Sequence, residues 1–170
     1  MKKILLTATL VALFGFAATA QEQGEIRVGA GLVYGTKATV DLTDGDEKGA
    51  LGINIGGEYL ITDVISAAPS YTFFFKEEEG GASVKTSSFN LDARYYFSDG
   101  KFYALAGLGF GSAKFSGGGF SISDNETGIN LGGGAMIPAG DALYINGQLK
   151  YNTAFEQFVI QAGLSYRIGG

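Results

Sequence analysis

The sequence of 170 residues holds 17 acidic and 12 basic side chains, 28 glycines, two prolines and 13% aromatic residues, with neither cysteine nor histidine. The acidic balance argues against nucleic acid as a partner, and the missing cysteine and histidine exclude disulfides, thiolate or imidazole metal sites and Ser-His-Asp chemistry. The blend is too aromatic for a disordered chain and too rich in glycine for a helical one.

The chain opens with Lys2 and Lys3, an apolar run from Ile4 to Ala18, and the small-x-small sequence Ala18-Thr19-Ala20. This is the pattern of a cleaved signal peptide. A membrane-anchoring helix would need roughly twenty apolar residues, and the run is shorter. Two segments are therefore expected, a signal peptide over 1–20 and a single domain over 21–170.

From Glu25 onward apolar residues recur with period two, the mark of β-strands. The first apolar face runs Ile26, Val28, Ala30, Leu32, Tyr34, the second from Leu51 to Ile61, and the third from Ile65 to Phe75. The remaining five run from Phe89 to Phe97, Phe102 to Phe110, Ile129 to Ile137, Leu143 to Tyr151 and Phe158 to Ile168. None of these 43 positions is charged, where about seven would be at the average charge content. The alternate positions are small and polar, with Leu60, Phe74 and Leu105 as exceptions. Short connections at Thr62-Asp63, Ser98 to Lys101 and Pro138 to Asp141 have turn chemistry. They alternate with longer loops expected over 36–49, 76–87 and 112–127 and a brief one near 152–156.

Volume decides which face points outward. An eight-stranded barrel is just filled by ordinary side chains, so the large apolar set does not fit inside, whereas the small polar face does. If that polar face met water it would carry only Arg27, Glu58, Asp92, Arg94, Lys150 and Arg167, far too few charges for a soluble surface. This argues against a lipocalin-like soluble ligand binder and for a barrel with its apolar side in lipid, where closure pairs every backbone group. Aromatic residues gather towards both strand ends, as in the girdles of membrane barrels. The predicted fold is an all-β, closed, antiparallel, eight-stranded up-and-down transmembrane β-barrel.

The hairpin from Arg94 to Tyr103, the run Ala106-Gly107-Leu108-Gly109-Phe110 and the closing Ala162 to Arg167 resemble small outer-membrane β-barrel domains of the OmpA/OmpX type. The resemblance spans nearly the whole chain after residue 20 and implies the outer membrane of a diderm bacterium. It departs from that family's usual aromatic last residue, since Ile168 is followed by Gly169-Gly170. Enzymes of this architecture generally rely on histidine, so the resemblance implies no catalysis here.

The six inner charges are expected to form a buried network, because unpaired buried charge is costly. Counting back from the first long loop sets Arg27 opposite Glu58. The glycines at 107, 109, 111, 132 and 134 are expected to make room for long arginines and tyrosines opposite. A carboxylate-only catalytic site at Glu58 and Asp92 is the weaker reading of those two residues. The acidic loops read as solvated surface, and Asp44-Gly45-Asp46-Glu47 lacks the spacing of a dedicated Ca²⁺ site. No catalytic residue, metal or cofactor is assigned. The expectation is a monomeric, non-enzymatic surface-interaction protein, held in outer-membrane lipid and meeting an extracellular ligand or surface through its loops. A narrow pore for small or apolar solutes is the alternative.

Overall fold

The structure, a computed structural model, describes residues 22–42, 45–79, 82–98 and 100–169; the expected signal peptide lies outside them. Its strands in chain order are β1 (Ile26–Val40), β2 (Glu47–Leu60), β3 (Ile65–Phe74), β4 (Glu77–Glu79), β5 (Ala82–Phe97), β6 (Phe102–Gly117), β7 (Phe120–Pro138), β8 (Leu143–Asn152) and β9 (Gln157–Gly169). Neighbours pair antiparallel, β1 with β9 and β3 with β5, so eight strands close into a barrel while β4 only extends the loop edge of β5. Closure leaves no edge unpaired, which hydrocarbon demands of any backbone that crosses it.

The period-two pattern resolves as outward and inward faces. Leu32, Leu51, Ile129, Leu131, Ile160 and Leu164 are exposed on the outside, whereas the three apolar exceptions Leu60, Phe74 and Leu105 are buried inside. Aromatic pairs ring both ends of the apolar band. At the long-hairpin end Phe89 stacks on Phe110 and Tyr151 meets Phe158 edge-on, and at the short-turn end Phe97 stacks on Phe102.

Most of the expected long loops prove to be strand. β6 and β7 continue as a hairpin above the apolar band, pairing Phe115 with Ile122 and Gly117 with Phe120. The turn consists of Gly118 and Gly119, both at positive φ, the backbone that a two-residue hairpin turn requires. A ladder needs only backbone donors and acceptors, so it persists where the apolar alternation fades into Ser121, Ser123 and Asn125. The second loop likewise contains β4, unforeseen in the sequence, whose three residues pair with Ala82 to Val84.

That β4 tip is expected to be dispensable. Deleting Glu77 to Ala82 leaves Phe75, Lys76 and Ser83 to Thr86 to bridge β3 and β5, and loop length carries little entropic weight. The variant should keep the heat-dependent gel shift of a folded barrel, and loss of that shift would show that the tip holds the barrel closed.

Candidate functional site

The inner face gathers its charges into two clusters. Near the short-turn end, Arg27 on β1 is the register partner of Glu58 on β2. The Arg27 Nε donates to Glu25 Oε1 at 2.6 Å, and its Nη1 lies 3.5 Å from Glu58 Oε2. Glu58 is the hub. Its Oε1 accepts from Ser66 Oγ on β3 and from Tyr96 Oη on β5, each at 2.5 Å, while Oε2 lies 3.3 Å from Arg94 Nη1. The Arg94 guanidinium also donates to Gln148 Oε1 at 3.2 Å and sits 4.6 Å over the Tyr103 ring. Arg27 caps Tyr144 at the same distance, 4.6 Å. Cation–π contact suits a guanidinium in a confined lumen, because an aromatic face replaces part of its lost water. Six strands are thus tied together through one carboxylate and two guanidinium groups.

The second cluster lies nearer the middle of the barrel. Lys150 Nζ on β8 donates to Asp92 Oδ2 on β5 at 3.2 Å. Asn130 Nδ2 on β7 donates to Asp92 Oδ1 at 2.7 Å and lies 2.9 Å from Asn90 Oδ1, and Asn152 Nδ2 donates to Asn130 Oδ1 at 2.6 Å. The inner glycines provide the space for this. A Cβ at Gly107 would come 2.4 Å from the Asp92 carboxylate, and one at Gly109 would come 2.4 Å from the Asn152 amide. At Gly134 it would come 2.5 Å from the Tyr103 ring. The expectation that these glycines accommodate long side chains thus holds for Tyr103 at Gly134, but the other occupants are Asp92, Asn152, the Phe155 ring at Gly111 and the Leu149–Lys150 backbone at Gly132 rather than arginines.

Apolar layers bound the polar ones. Val33, Ala38, Phe74 and Val159 close the lumen towards the long hairpins, and Leu105, Met136 and the rings of Tyr96, Tyr103 and Tyr144 pack together near the short turns. Between them a cavity of about 30 Å³ remains, lined in part by Gly29, Gly56, Gly163, Asn54, Arg94 and Gln161. It has room for about two water molecules.

Of the six inner charges read from the sequence, Arg27, Glu58 and Arg94 meet in the first cluster, and Asp92 with Lys150 in the second. Glu58 and Asp92 therefore belong to separate clusters, each held by cations of its own. Arg167 belongs to neither. It is the register partner of Arg27, and like charges facing each other repel. Its guanidinium turns to the rim and donates to the Asp141 carbonyl at 2.7 Å. Glu25 takes its place in the first cluster, 1% exposed. Sequence reasoning overlooked it although it stands two residues before Arg27, the spacing that keeps side chains on one face of a strand. With Glu25 counted, the two clusters set three carboxylates, Glu25, Glu58 and Asp92, against three cations, Arg27, Arg94 and Lys150.

A sequence model of the outer membrane protein beta-barrel domain matches residues 6–167. No curated protein matches. Among solved structures the chain is similar to Ail, the attachment invasion locus protein of Yersinia pestis, at 23% identity over 86% of this chain and 99% of that one, with a TM-score of 0.61. Ail in complex with the heparin analogue sucrose octasulfate matches at 22% identity over 86% of this chain and 99% of that one, with a TM-score of 0.64. Neisserial surface protein A is 20% identical over 84% of this chain and 97% of its own, with a TM-score of 0.64. At these identities the likeness extends to the fold.

Proposed function

The chain belongs to the outer membrane protein beta-barrel domain family and is an integral protein of the outer membrane, and from that premise we propose that it is a non-enzymatic anchor that presents its long hairpins to an extracellular ligand or surface. Residues 1–20 act in this reading as the cleaved leader and 21–170 as the barrel domain. The observation that carries the proposal is the filled lumen. Its charges are matched in number and interlocked across six strands, and an apolar layer lies between them and the long-hairpin mouth. To conduct, the barrel would have to part the Glu58 cluster and expose uncompensated charge, which costs several kcal/mol.

Charge at the mouth narrows the choice of ligand. Ail has been crystallised with a sulfated polyanion, whereas this chain sets Glu47, Asp124, Glu126 and Glu156 around its mouth. Carboxylates repel polyanions, so the ligand of this chain is of the opposite charge or neutral. Short turns mark the periplasmic side and long hairpins the outside.

Single-channel recording in a planar bilayer tests the anchor directly. The purified barrel is expected to be silent. Sustained, reproducible conductance would overturn the anchor reading in favour of a narrow transport pore.

A further inference from the structure

Above the apolar layer the long hairpins enclose an open cup of about 450 Å³, within the size range of small-molecule sites. Resting on the anchor reading above, we propose that this cup binds a small organic cation, an amine carried on an apolar body.

Three independent features of the cup point to such a ligand. The first is charge. Among the lining residues one cation, Lys37, stands against the carboxylates of Glu47, Asp124, Glu126 and Glu156. Lys37 is already engaged, its Nζ 2.8 Å from Glu47 Oε2, and that bond raises the Lys37 pKa. The remaining carboxylates leave the mouth negative.

The second is an unmet polar group. The β1–β2 register shifts between Gly35 and Thr39, and such an irregularity re-aims side chains. Thr39 consequently lines the cup only 5% exposed, and its Oγ1 has no hydrogen-bond partner. A buried hydroxyl left unmade is costly, and a ligand N–H would satisfy it.

The third is the floor. The β8–β9 turn folds Phe155 into the mouth, over Gly111, where a Cβ would come within 2.3 Å of the ring. Val84 and Ala113 add apolar surface to the lining of the same cup. An aromatic face beside carboxylates binds an ammonium by cation–π attraction while holding an apolar body. A metal ion fits less well, because among the described residues no three carboxylates converge as a metal site.

The test uses the full barrel in nanodiscs of zwitterionic phosphatidylcholine, titrated with 1,5-diaminopentane and followed by calorimetry. We expect saturable one-to-one binding absent from empty discs, with 1,5-pentanediol at least tenfold weaker. The double variant Asp124→Asn/Glu126→Gln should weaken diamine binding at least fivefold. Thr39→Val should weaken it at least threefold, and both should keep the heat-dependent gel shift. Absence of saturable binding, equal affinity for the diol, or full affinity in the folded double variant would overturn the inference. A barrel that is silent in bilayers yet fails to bind the diamine would remove the inference and leave the anchor reading standing; a conducting barrel would remove that reading by itself.

Discussion

Replacing Glu58 by Ala should lower the unfolding free energy of the barrel by about 3–5 kcal/mol, the cost of stranding buried charge by removing its partner. Glu58 is 4% exposed and faces Arg27 and Arg94 together, besides accepting from Ser66 and Tyr96. Without it the first cluster retains two guanidinium groups and only Glu25. Neither guanidinium can easily turn elsewhere, since Arg27 Nη2 and Arg94 Nε already lack partners. The neighbouring cavity of about 30 Å³ admits too little water to replace a carboxylate. Urea titration in lipid vesicles measures the loss. A second substitution, Arg94→Leu, should restore part of it, because residues of one network couple by about 0.5–3 kcal/mol. A Glu58→Ala barrel within about 1 kcal/mol of wild type would show that water reaches the cluster freely, and the closed lumen would fall with it.

The fold was legible because the barrel's two faces meet two different solvents. Lipid excludes charge from every outward position, so the alternation from Ile26 to Ile168 survives in the sequence almost without a break. Strand length was not legible, for the opposite physical reason. Past the aromatic girdle both faces meet water, as from Phe120 to Thr127 on β7, where every residue is exposed, and backbone hydrogen bonds hold the ladder. The turn that makes this extension feasible was nonetheless written in Gly118-Gly119.

The candidate site was legible in composition and less so in arrangement. Parity placed Arg27, Glu58, Asp92, Arg94, Lys150 and Arg167 on the inner face, but parity has no depth coordinate. It could not divide Glu58 from Asp92 into two clusters, nor foresee that Arg167, facing Arg27, would be turned out to the rim. Glu25 escaped because it precedes the first strand, although two-residue spacing extends beyond a strand's assigned end when the chain stays extended. The mouth was least legible. The roles of Thr39 and Phe155 depend on an irregular register and on a turn folding inward over Gly111, and neither leaves a periodic trace.

Leu108→Arg should destabilise the barrel by about 2–4 kcal/mol, the cost of a cation facing lipid near the bilayer midplane. Leu108 lies near the middle of β6 with its side chain outward, 47% exposed, and its register partners are Leu91 on β5 and Ile129 on β7. Those neighbours offer the guanidinium no acceptor, and the long side chain must bend towards an interface to find water. Gly109→Ser, one residue along, is the informative comparison because it faces the lumen. Its added Cβ would meet Asn152 Nδ2 at 2.4 Å and Asn130 Oδ1 at 3.1 Å, so the site is occupied rather than empty. Both contacts are the ends of rotatable side chains, and displacing them costs about one hydrogen bond, near 1 kcal/mol. The lipid-facing substitution is therefore expected to be the more damaging in urea titrations performed in bilayers. In a short-chain detergent micelle, where water reaches the apolar band more readily, the gap between the two should narrow. A Gly109→Ser barrel less stable than Leu108→Arg in bilayers would mean that β6 turns its apolar face inward, reversing the lipid-facing assignment on which the membrane barrel rests.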